Sequence, residues 1–224
     1  MTGADDAVRV EDLNALAHEY PFVEWAILCM PENAGQKRFP SAAWIKNFNT
    51  HYTGAHKAMH LCGSAFLDFI TGSATILALM KGFHRIQLNL EFGGVKGKYD
   101  PQDLIARIKA HPEFEFIIQY TDKNEDLLPA LRTIPHHVIL FDQSAGRGIA
   151  PQSWPAPIAG HTCGYAGGIT PDNAVENITM IAHAAGDTDT WIDMESGIRT
   201  DDNFDLKKVR QVLSVAAPWV AVCP

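Results

Sequence analysis

Short apolar runs alternate with amphipathic segments along this chain of 224 residues, and that repetition restricts the fold more than any other feature. Each run has the length of a buried strand, and most are followed by apolar residues at helical spacing. Strands are predicted at 24–30, 57–63, 85–90, 114–119, 137–142, within 155–166, and at 190–195. Helices are predicted at 10–20, from 42 through 48, at 64–71, from 100 onward, and at 122–131, 173–185 and 204–216. Strand-helix units that repeat about every 25 to 30 residues favour a parallel sheet over a sandwich.

The fold class predicted from this pattern is α/β, a (β/α)8 TIM barrel formed as a single domain over residues 1–224. Seven strands are one too few for such a barrel, so its first strand is expected to be missing or truncated. An open doubly wound sheet is the structural alternative, but it would carry a phosphate-binding turn in its first unit. Here the corresponding glycine-rich turn lies near the end of the chain.

Composition narrows the classes of partner. The net charge is −8, acidic and basic residues are interspersed, and no basic stripe is present, so nucleic acid is not expected to bind. No apolar run is long enough to predict a membrane span. The cysteines are Cys29, Cys62, Cys163 and Cys223, without CxxC pairing or a secretory signal, which predicts reduced thiols and a cytoplasmic protein.

Residues 164–173, Gly-Tyr-Ala-Gly-Gly-Ile-Thr-Pro-Asp-Asn, form a predicted strand-to-helix corner. Thr170 is the expected N-cap, and a proline follows it at the expected first helical position. Gly167 and Gly168 would let an anion approach the backbone, and the N–H groups of the following helix favour negative charge. The sequence therefore predicts a phosphate site, with an ordinary tight turn as the alternative.

Further motifs follow the order of a known family. Asp193-Met-Glu-Ser-Gly197 ends the last strand, Leu140-Phe-Asp142 precedes a glycine-containing loop with a Ser-Trp pair behind it, and Arg38 stands before Phe-Pro-Ser. In this order and spacing the chain resembles phosphoribosylanthranilate isomerase, a (β/α)8 enzyme of tryptophan biosynthesis, over nearly its whole length. The resemblance implies an Amadori rearrangement of an aminoaldose phosphate to an aminoketose phosphate, with no metal or redox cofactor.

The resemblance implies two catalytic carboxyl groups. Asp142, desolvated at the end of a buried strand, would be the acid that opens the sugar ring. The family's base, a cysteine in a Lys-x-Cys-Gly motif on the first strand, has no counterpart, because Thr2-Gly3 falls at the end of that strand. Cys62 belongs to the third strand in this order and does not receive the role. Glu195 is the proposed replacement, and an ion pair to Arg147 or Arg199 is its structural alternative.

The resemblance also implies the binding residues. Phosphate would contact the backbone of Gly167, Gly168, Ser196 and Gly197, two adjacent loops near the end of the chain. Arg38 and Arg147 would hold a carboxylate, with a solvated loop charge as the alternative for each. Asp193, two residues before Glu195, is expected to orient the lining of the pocket.

Ten histidines raise the question of a metal site. His56 and His60 span a predicted strand start and are not expected to share a face, so no metal ligands are predicted. Two other functions remain open: a barrel that binds a phosphorylated ligand without isomerising it, and an enzyme for another phosphosugar. The expected partner is a small phosphorylated substrate, and the sequence leaves a homo-oligomer open.

Overall fold

The computed structural model describes residues 1–90, 94–121, 127–131, 133–134, 137–142 and 151–220, and these contain a seven-stranded parallel sheet. Its strands are β1 Glu24–Cys29, β2 His56–Leu61, β3 Arg85–Leu88, β4 Glu115–Tyr120, β5 His137–Asp142, β6 Cys163–Ala166 and β7 Thr190–Asp193. The strands pair in the order of the chain, each parallel to the next. A doubly wound sheet would reverse its order at a switch point, so the barrel prediction is confirmed.

Residues 1–3 lie between the first and last strands of the sheet. The Thr2 N–H donates to the carbonyl of Met194 at 2.8 Å, and the Gly3 N–H donates to the carbonyl of Ala26 at 3.1 Å. Thr2 and Ala26 also form a parallel bridge. Because one short segment is bonded to the start of β1 and to the residue after β7, it closes the barrel. In the described chain, the first strand is truncated to this bridge.

Helices cover the outside of the sheet: α1 Val10–Glu19, α2 Ala42–His51, α3 Ser64–Thr71, α4 Ala74–Met80, α5 Pro101–Lys109, α6 Leu128–Leu131, α7 Ala174–Ala185 and α8 Leu206–Ala216. Side-chain caps fix several of their starts. Ser41 accepts a hydrogen bond from the Trp44 N–H. Asp100, which directly precedes a proline, accepts one from the Gln102 N–H. None of the helices in the described ranges has the length and apolar character needed to cross a membrane.

Alternation along the strands separates two layers of core. Trp25, Met59, Ile86 and Phe116 point outward, are almost completely buried, and belong to the large cluster between sheet and helices. Inside the barrel a small apolar cluster contains Ile117, Val138, Leu140 and Ala166. The period of two that defines a strand therefore sends every second side chain of the sheet into the barrel.

Charged side chains fill the barrel interior near the amino ends of the strands. Arg85 pairs with Glu24 at 2.9 Å and with Glu115 at 2.7 Å, and its guanidinium lies 4.3 Å from the ring centre of Trp191. A cavity of about 780 Å³ opens at this end and extends to the last turns of α7 and α8. It lies at the opposite end from the expected site, and of the predicted site residues that the structure describes, Asp193 alone lines it.

Three local predictions differ from the structure. The helix expected to start after Thr170 begins at Ala174, because residues 171–173 form a separate turn. The last strand ends at Asp193 and not at Glu195. The final helix begins at Leu206 with Asp205 as its cap, because the preceding residues form a two-stranded hairpin, β8 Arg199–Thr200 and β9 Asn203–Phe204.

The prediction about two histidines was also wrong. His56 and His60 both belong to β2, four residues apart, so they point to the same side of the strand and both line the cavity. Burial lowers the pKa of His60 to about 4, while the neighbouring Asp193 opposes that shift. The His60 imidazole is therefore neutral in the folded protein at neutral pH.

We expect acid to destabilise the fold through His60. Between pH 7 and pH 5 the His60 imidazole becomes protonated in the unfolded chain but stays neutral in the folded protein. The free energy of unfolding should therefore fall by about 2 kcal/mol. Urea denaturation at the two pH values measures this change. His60→Gln removes the titrating ring and should remove most of the change, whereas an equal pH dependence in both proteins would contradict the assignment.

Candidate active site

Polar side chains project into the barrel where β2 to β5 end. Gln87 donates from Nε2 to Oδ1 of Asn89 at 2.8 Å, and Asn89 donates from Nδ2 to Sγ of Cys62 at 2.9 Å. One strand further on, Gln119 donates from Nε2 to Oδ2 of Asp142 at 3.2 Å. These hydrogen bonds fix the orientation of the polar side chains at the carboxyl ends of the strands, which form the mouth of the barrel.

Asp142 is the last residue of β5, as the sequence predicts, and only 8% of it is exposed. Its partner in the ladder is Ala166, so the carboxyl group starts at the same level as the glycine turn that follows β6. The loop behind Asp142, residues 143–150, lies outside the described residues. The predicted role of Arg147 falls in that loop and remains a prediction.

The two predicted phosphate turns lie against each other. Gly167 and Gly168 have φ values of 130° and 61°, which favour glycine. A Cβ on Gly197 would overlap the carbonyl oxygen of Ile169 and stand 3.2 Å from Cα of Thr170. Only a glycine at position 197 therefore permits the turn after β7 to touch the turn after β6.

Both turns present backbone donors. Within the described chain, no hydrogen bond from the backbone N–H of Gly167, Gly168, Ser196 or Gly197 is found. Asn173 stabilises the first turn, because its Oδ1 accepts from the Thr170 N–H at 2.8 Å and its Nδ2 donates to the Gly168 carbonyl at 2.9 Å. Thr170 is thus held by Asn173 and is not the N-cap. Four unpaired N–H groups in two touching turns are suited to an anion.

Gly197→Ala is expected to lower the free energy of unfolding by about 1–3 kcal/mol, because the new methyl group must push the two turns apart. Thermal or urea denaturation measures the loss.

Gly160→Ala is the control for that substitution. Gly160 has a φ of 82°, and a Cβ there meets nothing within 4 Å, so only backbone strain of about 1 kcal/mol is expected. Equal losses in the two variants would show that the turns do not need their close approach.

Glu195 makes an ion pair at the mouth, although with a different arginine than expected. Its Oε1 accepts from Nη1 of Arg38 at 2.7 Å, and both side chains are 30% exposed. Burial raises the pKa of Glu195, while the hydrogen bond and charge of Arg38 act against that rise. The predicted alternatives were Arg147 and Arg199; Arg199 instead pairs with Asp5 at 3.1 Å.

Asp193 has a positioning contact, since its Oδ1 accepts from the Thr2 hydroxyl at 2.5 Å. The Thr2 hydroxyl, in the segment that closes the barrel, is not acidic enough to lose its proton near neutral pH, so it cannot serve as the base.

Burial raises the pKa of Cys62 and keeps it as a thiol, and burial also raises the pKa of Cys29 to about 12. Both thiols, like Cys163, are buried and free, as the sequence predicts.

Sequence reasoning missed the charge network behind the mouth. Arg199 is 2% exposed and donates from Nη1 to the Gly3 carbonyl at 2.7 Å and from Nη2 to Oδ2 of Asp5. Asp202 joins the network by binding both Arg38 and Arg199. Among the described residues, no group of three or more His, Cys, Asp and Glu side chains is placed to hold a metal ion.

No protein-family model matches the sequence, and no curated protein matches it at the level of significance applied. Solved structures do match the fold. Phosphoribosyl anthranilate isomerase from Thermus thermophilus gives a TM-score of 0.57 at 16% identity over 98% of each chain. TrpF from Jonesia denitrificans gives 0.63 at 16% identity over 96% of this chain and 94% of that chain.

A phosphoribosyl anthranilate isomerase bound to reduced 1-(o-carboxyphenylamino)-1-deoxyribulose 5-phosphate gives a TM-score of 0.59 at 12% identity over 94% of each chain. Identities this low establish the fold and not the activity. The chain is therefore similar in fold to the phosphoribosylanthranilate isomerases, which is the resemblance that the sequence predicts.

Proposed function

We propose that this chain is an isomerase, formally an intramolecular oxidoreductase, that converts a phosphorylated aminoaldose to an aminoketose by a phosphoribosylanthranilate-type Amadori rearrangement. The observation that carries the proposal is the contact between the turns of Gly168 and Gly197, whose N–H groups are unpaired within the described residues. Asp142 and Glu195 come from the carboxyl ends of β5 and β7 around the same mouth. No cofactor is required by this reaction.

The phosphate of the substrate would bind the backbone donors of the two turns. Gly167, Gly168, Ser196 and Gly197 supply N–H groups, and the absence of side chains at three of these positions permits close approach. Binding energy gained at the phosphate fixes the sugar relative to the acidic groups, which is how a remote group contributes to the chemical step.

Asp142 would act as the acid. It gives a proton to the ring oxygen, the C1–O bond breaks, and the lone pair of the amine nitrogen forms a protonated imine. Gln119 holds the Asp142 carboxyl through the 3.2 Å hydrogen bond, so the group is oriented before substrate binds.

Glu195 would act as the base. It removes the proton from C2, the electron pair forms the C1–C2 double bond, and the iminium nitrogen recovers its lone pair. Protonated Glu195 then gives its proton to C1 while the C2 hydroxyl returns a proton to Asp142, so the enol becomes the ketone, both carboxyl groups recover their starting states, and the reaction neither gains nor loses atoms. Burial raises the pKa of Glu195, which makes its carboxylate a stronger base.

Two assays test the proposal. The purified chain is incubated with the phosphoribosyl derivatives of anthranilate and of aniline, and the ketose products are followed. A tryptophan auxotroph that lacks the isomerase is tested for growth with the wild-type chain and with Glu195→Gln. Turnover of either compound that is lost in Glu195→Gln is the expected result, and turnover or rescue that survives both Glu195→Gln and Asp142→Asn would remove the assigned roles.

The second candidate function is a phosphate-ligand-binding barrel without isomerase activity. It is favoured by one observation: the closing segment presents Thr2, a hydroxyl bonded to Asp193, where the resemblance expects the cysteine base. Retained binding of phosphate esters in a protein without turnover, in vitro and in cells, would select this candidate. A cytoplasmic role in tryptophan biosynthesis belongs to the first candidate and is tested by the same growth experiment.

A further inference from the structure

Arg38 is already occupied by carboxylates of this chain. Its Nη1 donates to Glu195 at 2.7 Å, and its Nε and Nη2 lie 2.8 Å and 2.6 Å from Oδ1 of Asp202. Nη1 also lies 3.4 Å from the hydroxyl of Ser196. Each of the three guanidinium nitrogens thus has an acidic partner, and the fork that would receive a carboxylate from a ligand is filled.

The backbone holds Arg38 in this arrangement. Its φ is 75°, which is uncommon for a residue with a side chain, and its N–H donates to Oδ2 of Asp5 at 2.8 Å. Lys37 binds the turn between β8 and β9 through a 2.9 Å hydrogen bond from its Nζ to the Asp201 carbonyl. The loop after β1 is therefore fixed to the segment after β7 by Lys37 as well as by Arg38.

The surroundings of Glu195 make an exchange of partners unfavourable. Its Cγ would be 3.4 Å from a Cβ on Gly3, so the side chain runs closely over the closing segment into the mouth. Asp193 is a further carboxylate whose charge acts on Glu195, and Arg199, the other cation whose charge acts on it, is committed to Asp5 and Asp202. A ligand carboxylate that captured Arg38 would leave Glu195 half-buried without a counter-ion.

We infer that Arg38 is a positioning residue that serves the Glu195 carboxylate, and that the described part of the site, with Arg38 engaged in this way, favours a phosphorylated aminosugar whose nitrogen substituent carries no carboxylate. This inference rests on the proposed function and narrows its substrate class. Glu195 in this chain already holds Nη1 of Arg38, the cation that a carboxyl-bearing aromatic amine would need. A neutral substituent leaves the ion pair intact.

Binding of two compounds to the full chain tests the inference by calorimetry. One is reduced 1-(o-carboxyphenylamino)-1-deoxyribulose 5-phosphate, and the other is its phenylamino counterpart without the carboxylate. The wild type is expected to bind the carboxylate-free compound about tenfold more tightly. In Glu195→Ser, Nη1 of Arg38 becomes available to the ligand carboxylate, so the preference should reverse, and the added substitution Arg38→Met should abolish the reversal.

Equal binding of the two compounds by the wild type, or tighter binding of the carboxylated one, would overturn the inference and leave the proposed isomerase standing. If neither compound binds the wild type or Glu195→Ser, the proposed function fails as well, and the inference with it. The two failures are therefore distinguishable in one set of titrations.

A second measurement separates positioning from a merely structural role. Carbon NMR of the Glu195 carboxyl should show its titration at higher pH in Arg38→Met, since Arg38 lowers the pKa of Glu195, and Arg38→Lys should restore part of the difference. Lys37→Met is the matched control, because it removes the adjacent charge without touching Glu195. An unchanged titration in Arg38→Met would contradict the positioning role.

Discussion

Arg199→Met is expected to lower the free energy of unfolding by about 3–5 kcal/mol, the cost of removing one partner of a buried ion pair. The Arg199 side chain is 2% exposed and the Asp5 side chain is 7% exposed. Without the guanidinium, Asp5 remains buried as an uncompensated charge, and the carbonyls of Gly3 and Asp202 lose their 2.7 Å donors. Because the lost contacts hold the segment that closes the barrel, urea denaturation should report the whole decrease in the free energy of unfolding.

Arg210→Met is the matched control for that substitution. Arg210 also pairs with a carboxylate, Glu19, but its side chain is 51% exposed, so solvent screens the pair and its loss is expected to cost far less. Asp5→Asn added to Arg199→Met should recover part of the stability, because it removes the orphaned charge. If Arg199→Met costs no more than Arg210→Met, the network does not hold the barrel closed.

Local signals in the sequence were sufficient for the framework of the fold. Apolar runs located the strands because parallel strands covered on both sides contain few polar residues. Asp100 located the start of α5 because a cap needs only its own neighbours in sequence. The order of motifs then indicated a barrel, and the similarity to solved barrels confirms it.

Contacts between distant residues were not predictable in the same way. Arg38 meets Glu195 across 157 positions, and Arg199 meets Asp5 across 194, so neither pairing has any local pattern. The choice of Arg38 as the partner of Glu195 depends on how the loop after β1 folds onto the hairpin after β7. Closure by residues 1–3 is equally non-local, because Thr2 must meet the end of the last strand.

The start of α7 shows a local signal overridden by another. Thr170 followed by proline is a strong pattern for a helix start. Asn173 instead bonds the Thr170 N–H and the Gly168 carbonyl with its own side chain, and the helix begins one residue later, at Ala174. Asn173 thereby keeps the glycine turn distinct from the helix, and the turn keeps its unpaired N–H groups.

The chemical proposal makes its largest prediction at Asp142. Asp142→Asn keeps the shape and the hydrogen-bonding contact with Gln119 but removes the transferable proton. We expect kcat/KM for conversion of the aminoaldose phosphate to fall by about 10²–10⁴-fold, the range for loss of a positioned acid. Initial rates of ketose formation by the purified protein measure the effect, and an unchanged Tm shows that the fold is intact.

Asp189→Asn provides the comparison for Asp142→Asn. Asp189 is an exposed carboxylate that lines the cavity at the amino end of the barrel, so its loss changes the net charge equally without altering the mouth. Activity should be retained there within about twofold, as for most surface substitutions away from a site. If both variants keep full activity, Asp142 is not the acid. Since the turns of Gly168 and Gly197 do not depend on its carboxyl, phosphate affinity should persist in Asp142→Asn and separate loss of chemistry from loss of binding.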